Sequence, residues 1–462
     1  MVLLDSRISS VTRRAASLAA EIEQWLCYAE QGNVFEKNSS QLEALDIFMA
    51  RVTAQLKNDS SAISGSMRPE PSNAADILHK IEAIERELFE GYFIWAYFRS
   101  KLEQRFVPQF ADALLTTDLV SYNCYRTTLD NANRLGIEHK LGLRDYPLTY
   151  FLEDYPSPMT WPRDVRQRGL AGRTLAVPVI GIPWDHIATP WEWLSLNHEV
   201  AHAIDYDLGI PSKELSGHLQ GKSDRASVWQ LWMSEIFADA LAILLAGPAF
   251  VSYLANSLTV PGDKATSLAK VGLHPPPYLR VVLNVQLAQD LIPGRMVQNY
   301  VSNLLNQWEQ IYGKQQSGLS DYLNDLDDIM RVLKTNLNTL KDGQGVAHSL
   351  MELIGFGESD FENQLAGRDQ FLAGGEVVNH MSLRHVLGAA YMATEEHINS
   401  HGSLDSRFAD GLAIRIKAAI KVKAPAGQLP LRTEASKRYL RDLADAFLAD
   451  SIAGGINDQQ IS

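Results

Sequence analysis

The chain has 462 residues, 46 % of them hydrophobic and 21 % charged, with a formal net charge of −13. That length buries a large core and suggests two or three subdomains, while the acidic balance argues against nucleic acid and anionic membrane surfaces as partners. Cys27 and Cys124 are its two cysteines, too few for a disulfide framework, and the first residues lack a signal-peptide pattern, so a cytoplasmic location is expected.

Residues 4 to 31 carry Ile8, Val11, Ala15, Leu18, Ile22, Trp25 and Ala29 at spacings of three and four, which predicts a helix. The pattern fits a bundle helix, or a coiled-coil seam of about three heptads. A second helix is expected over 40 to 57. Residues 58 to 75, rich in Ser, Pro and Gly, are expected to be a flexible linker. Helices over about 75 to 106 and 109 to 134 complete an N-terminal bundle spanning 1–135. Residues 145 to 164 are rich in Pro and aromatics and read as a loop.

Residues 173 to 183, RTLAVPVIGIP, read as a strand apolar on both faces. Pro178 is expected to confine it to a sheet edge, and Gly181 to mark a bulge or close approach. Such an edge beside a metal site would suit an extended peptide, although a purely structural edge fits the same letters. Trp184, Trp191 and Trp193 follow, suited to lining a cleft or to packing.

The run His198-Glu199-Val200-Ala201-His202 is the sharpest feature. Histidines four apart share a helix face, and an acid beside the first can take a proton from an attacking water. Thr189-Pro190 reads as the cap and start of a helix of about five turns, and Gly209 with Pro211 as its stop. HExxH is short, and two histidines satisfied by ordinary hydrogen bonds would look the same. A metzincin would need Gly and His where Asp205 and Leu208 stand, so a third ligand must come from elsewhere.

The stretch 228 to 246 offers one. It is apolar except for Ser234, Glu235 and Asp239, and the two acids share a face. Buried carboxylates need partners. Zinc accounts for Glu235, and the outer nitrogen of a ligating imidazole accounts for Asp239. A polar strip meeting a basic helix is the alternative. Residues 274 to 280, HPPPYLR, open a further helix; His274 there is a candidate oxyanion donor, or simply a solvated histidine.

Together, HExxH, ExxxD and HPPxxxR resemble the gluzincin clan of zinc metallopeptidases, most closely the catalytic core of the CaaX prenyl protease and HtpX-type peptidases. The resemblance covers about 170 to 285. It implies a zincin-like core, Zn2+ held by His198, His202 and Glu235, Glu199 as general base, Asp239 beside a ligating histidine, and His274 and Arg280 near the active site. Those relatives are integral membrane proteins. Here Ala240 to Ala255 reads as the longest apolar stretch, 16 residues broken by Gly247-Pro248, too short to cross a bilayer, so no transmembrane segment is expected.

Beyond 290, helices are expected over 293 to 312, 319 to 341, 346 to 355, 376 to 400, 406 to 422 and 433 to 452. His397 and His401 repeat the four-residue spacing without an acid between them or a third ligand. His385 and Tyr391 precede them, with no placement implied. The expected fold is mainly α with a small β-sheet: a zincin-like core, 136–290, between the N-terminal bundle and a C-terminal helical subdomain, 291–462. The expected function is hydrolysis of a peptide or protein substrate by metal-activated water. Two alternatives stay open. One is a non-catalytic zinc scaffold whose helical arms bind a partner protein. The other is a zinc amidase acting on a non-protein substrate.

Overall fold

The computed structural model describes residues 2–31, 33–66, 69–152, 159–161, 175–221, 224–268, 272–313, 318–375, 381–425 and 433–453. Helix makes up 77 % and strand 5 %, which is the mainly α fold with a small sheet that the periodicity implies. The hydrophobic interior forms two cores. One is built by the helices Val2–Gln31, Ser39–Ser66 and Ala74–Glu103. The last helix, Glu434–Ala453, packs back onto it through Leu440, Ala444, Phe447 and Leu448. The apolar stripe of the first helix is therefore a bundle face rather than a coiled-coil seam. The larger core begins with the helix Pro108–Leu135 and contains the HExxH helix.

The two cores meet at a buried cluster. Arg105 Nη2 donates to Asp118 Oδ2 at 2.6 Å, and the same carboxylate accepts from Thr149 N at 2.9 Å and Asn38 Nδ2 at 3.0 Å.

Ser39–Ser66 takes in the first half of the stretch expected to be a linker. Ser60 and Ser64 return their hydroxyls to Lys57 O and Ser60 O, and Ile63 is buried in the bundle. Serines that back-bond to the preceding turn let a polar segment stay helical once one face is packed.

A three-stranded sheet has the order β1 (Leu148–Leu152), β3 (Val179–Pro183), β2 (Met159–Trp161). β3 runs parallel to β1 and antiparallel to β2. Two expectations are corrected. The stretch 145 to 164 supplies strands, and β3 is central rather than an edge. Pro178 restricts nothing because it lies just before the strand, and its carbonyl accepts from Leu148 N at 2.8 Å. The start of the expected strand, 173 and 174, lies outside the described residues. Gly181 is a close approach: a Cβ there would lie 2.5 Å from Leu152 Cγ.

The C-terminal region also departs in part from its expected pattern. The 319 to 341 stretch divides into Ser320–Asn324, Leu326–Leu333 and a strand, β4 (Leu337–Lys341), paired with β5 (Ala347–His348) around Gly343 and Gly345. The helix Glu358–Leu372 has no counterpart in the expected set. Its period is blurred by buried Gln364 and Gly367, which sit where the neighbouring helix Val386–His401 comes close.

The helix Ala226–Ala246 is long and apolar enough, by length and composition, to cross a membrane, and exceeds the stretch from 240 taken from the sequence as the longest. In this fold it is buried at the centre of the larger core, which is why both its faces are apolar. It ends at Gly247, whose φ of +84° suits glycine and where a Cβ would meet Phe356 at 2.4 Å.

The far end of the HExxH helix is anchored by charge. Arg144 Nη2 donates to Asp207 Oδ1 at 2.7 Å, with both side chains essentially inaccessible, and the Tyr125 hydroxyl donates to Asp207 Oδ2 at 2.5 Å. Removing one member of a buried pair leaves an uncompensated charge and costs about 3–5 kcal/mol. Arg144→Ala is thus expected to lower the unfolding free energy by about that amount, read as a lower urea midpoint at an unchanged m-value. Arg51→Ala, which breaks the exposed Arg51–Asp445 pair, should leave the midpoint nearly unchanged. Equal effects from the two variants would refute the anchoring role.

Candidate metal centre

Three helices build the site. The motif helix is Leu196–Asp207, the carboxylate helix Ala226–Ala246, and the arginine helix Pro277–Leu291. The motif helix is shorter than expected. Residues Pro190–Ser195 form a 3₁₀ segment, and the Thr189 hydroxyl donates to Glu192 Oε2 at 2.7 Å instead of capping. His198 and Glu199 therefore lie in the first helical turn rather than well inside. Gly209 and Pro211 end the helix as expected. Asp205 is spoken for there: its carboxylate accepts from Ser212 N at 3.0 Å and Ser212 Oγ at 2.6 Å.

The arginine helix starts at Pro277, where a missing N–H costs nothing, so the proline run fixes its direction of approach. His274 stands just ahead of it.

The fold brings His198, His202 and Glu235 together, with one ligand atom from each within 4.8 Å of the others. His198 Nε2 is 3.2 Å from His202 Nε2. It is also 3.2 Å from Glu235 Oε2, and His202 Nε2 is 3.5 Å from Glu235 Oε1. A tetrahedral zinc with bonds of about 2.0–2.1 Å has ligand-to-ligand edges of about 3.3–3.4 Å. The three contacts are of that order, the two to Glu235 ending on different oxygens of its carboxylate. Glu235 Oε2 is buried and receives no aligned hydrogen bond, although imidazole nitrogens stand at 3.0 and 3.2 Å from it. A buried carboxylate oxygen faced by nitrogens that do not donate to it suits a shared cation. Two imidazoles and a carboxylate are also a common zinc donor set.

Asp239 is 1 % exposed and holds the surroundings of the triangle. Arg280 grips it with Nε at 2.7 Å and Nη2 at 2.8 Å, and Asn284 Nδ2 adds a bond of 2.9 Å. His198 Nδ1 lies 2.8 Å from Asp239 Oδ1, short in distance though its N–H is not aligned on the oxygen. Phe250 stacks on the His198 ring at 6.4 Å. Asp239 thus faces the outer nitrogen of a candidate ligand, the arrangement that fixes tautomer and ring orientation. Asn284 was missed in the sequence. It is a lone buried amide in an apolar run, four residues after Arg280, and that spacing was the available signal.

The charges follow from these contacts. Burial raises the Asp239 carboxyl, but Arg280 and then His198 outweigh it and hold it below the usual range. Burial likewise raises Glu235, while His202, His198 and His274 hold it well below. Burial lowers His198, yet Asp239 and Glu235 outweigh it and push the imidazole up to about 10. Burial lowers His202, with Glu235 opposing. Both acids are held ionised by the arginine and imidazoles that face them.

Glu199 follows His198 in the motif helix and is buried. His274 Nε2 contacts Glu235 Oε2 at 3.0 Å, with its side chain 55 % exposed, and so marks the open side. Arg280 Nη2 is 3.7 Å from the same oxygen. Direct contacts join six of the seven candidate residues, His198, His202, Glu235, Asp239, His274 and Arg280, and Glu199 follows His198 on the motif helix.

The other candidates lie elsewhere. His397 pairs with Asp405 at 2.8 Å and stacks on Phe408, and His401 Nδ1 contacts His397 O, so that pair is a helix-end cluster. His385 is buried against Phe356, and Tyr391 contacts Ser252 O. Trp191 and Trp193 pack in the core, while Trp184 is exposed.

Compared with protein-family profiles, curated proteins and solved structures, the chain finds no match in any of the three.

Metal analysis by mass spectrometry should find one zinc per chain in the wild type and none in Glu235→Ala. Asp239→Asn should weaken zinc affinity by about 10–100-fold, as loss of an orienting partner does, and should also lower stability because it leaves the buried Arg280 without its counter-charge. Unchanged affinity in Asp239→Asn would remove Asp239 from the site.

Proposed function

We propose that the chain is a zinc-dependent peptidase with a gluzincin-like centre, acting on a peptide or protein substrate. The observation that carries this reading is the convergence of His198, His202 and Glu235 from two helices, with one ligand atom of each within 4.8 Å of the others. Zinc bound there would lower the pKa of water toward about 7 and polarise a scissile carbonyl. Glu199, buried and next to His198 in the motif helix, is the general base: it accepts the proton of the attacking water and delivers it to the leaving amine. His274 is the donor on the open side, exposed enough to meet an oxyanion. Arg280 and Asn284 act through Asp239, which positions His198. An extended substrate does not add to β3, because both edges of that strand are already paired.

The test is Glu199→Gln assayed on a peptide library, with zinc content measured on the same sample. Expected is a loss of at least about 100-fold in turnover with zinc retained. A chelator should abolish wild-type cleavage, and added zinc should restore it. Near-wild-type cleavage by Glu199→Gln would dismiss the assigned base. Absence of chelator-sensitive cleavage in the wild type, with zinc present, would favour the scaffold or small-molecule amidase reading.

A further inference from the structure

A cavity of about 620 Å³ lies outside the metal centre. It opens between the helix Ala249–Ser257, the helix Arg295–Tyr312, the helix Val386–His401 and the 3₁₀ segment that leads into the motif helix. Its volume is in the range of small-molecule sites, about 300–1,000 Å³. Glu395 lines it. The carboxylate accepts from the Tyr300 hydroxyl at 2.9 Å, and that hydroxyl also meets Ser252 Oγ at 2.8 Å. Among the described residues no Lys, Arg or His lies within ion-pair distance of Glu395. Arg368, the cation that lines the same cavity, pairs with Asp369 at 2.8 Å. Glu192 and Glu396 line it as well, so the lining is acidic. Trp191, Trp308, Tyr391 and Leu304 add aromatic and apolar surface.

A half-buried carboxylate with two neutral partners and no counter-ion is costly when ionised, and burial raises Glu395 to about 7. It has two remedies: a proton, or a cation supplied from outside. A divalent ion is the poorer choice. Among the described residues the groups of three or more His, Cys, Asp and Glu able to hold a metal come down to the one at His198, and aromatic walls offer a metal nothing. An organic cation matches both halves of the lining, because an ammonium pairs with the carboxylate while its apolar part lies against the rings.

We propose that this cavity is a second binding site, for an amphipathic primary amine whose ammonium group pairs with Glu395. The site stands apart from the zinc reading. It shares with the metal centre the helix Ala249–Ser257, which presents Phe250 to His198 and Ser252 to Tyr300.

The probes are 2-phenylethylamine and its neutral counterpart 2-phenylethanol, titrated calorimetrically into the full chain at neutral pH. The amine is expected to bind at least about tenfold more tightly than the alcohol. Glu395→Gln should remove that preference. Asn303→Trp, at the exposed mouth, should block both probes. Glu235→Ala should leave amine binding unchanged, which separates this site from amine ligation at the metal. The wild-type comparison decides even if a variant fails to fold. Equal binding of the two probes, no binding of the amine, or amine binding lost in a Glu235→Ala protein that keeps the wild-type circular dichroism each overturns the proposal.

Discussion

Asp239 carries a negative charge at 1 % exposure in a helix that is apolar over most of its surface, and an ion so placed is tolerated only when partners are brought to it. Arg280 and Asn284 come from one helix and His198 from another. Meeting all of them fixes the spacing and rotation of three helices at once. Glu235, one turn earlier on the face that carries Asp239, is thereby set opposite His198 and His202. The triangle of ligand atoms follows from where the arginine and the asparagine must sit.

Such a cluster is not a stability device in itself. A buried ion pair gains in Coulomb energy roughly what it loses in hydration, and apolar side chains of equal volume would often serve stability as well. What it supplies is uniqueness of arrangement, since a misplaced helix would strand a charge. The same logic recurs at the other end of the motif helix, where Arg144 and Tyr125 close on Asp207. The joint between the two cores repeats it, with Arg105, Thr149 and Asn38 around Asp118. Three buried acids thus fix the motif helix lengthwise, the site crosswise, and the bundle against the core. Glu395 differs from all three in having no cation beside it, and it borders a cavity.

Much of this was legible beforehand where chemistry is local. The spacing of His198 and His202, the two acids one turn apart in an apolar helix, and the proline start before Arg280 each have one ready physical reading. The sequence was a poorer guide where a neighbour decides. Pro178 speaks against a central strand only if it lies inside the strand, and one residue's shift of the start cancelled that inference. Ser60 and Ser64 look like linker residues until Ile63 is buried beside them. The stretch after 319 has helical composition, but Gly343 and Gly345 let it turn back as a hairpin.

By itself the sequence determined the donor types, their helical spacing, the helices that carry them and the mainly α class, because these depend on contacts within a few residues. Only the tertiary structure decided that His198, His202 and Glu235 converge to zinc-sized distances, that Asn284 joins Arg280 on Asp239, that β3 is central, and that Glu395 faces a cavity without a counter-ion. Each of these joins residues from separate elements, often tens of positions apart. Such contacts arise from the packing of whole helices and strands, which local periodicity does not encode.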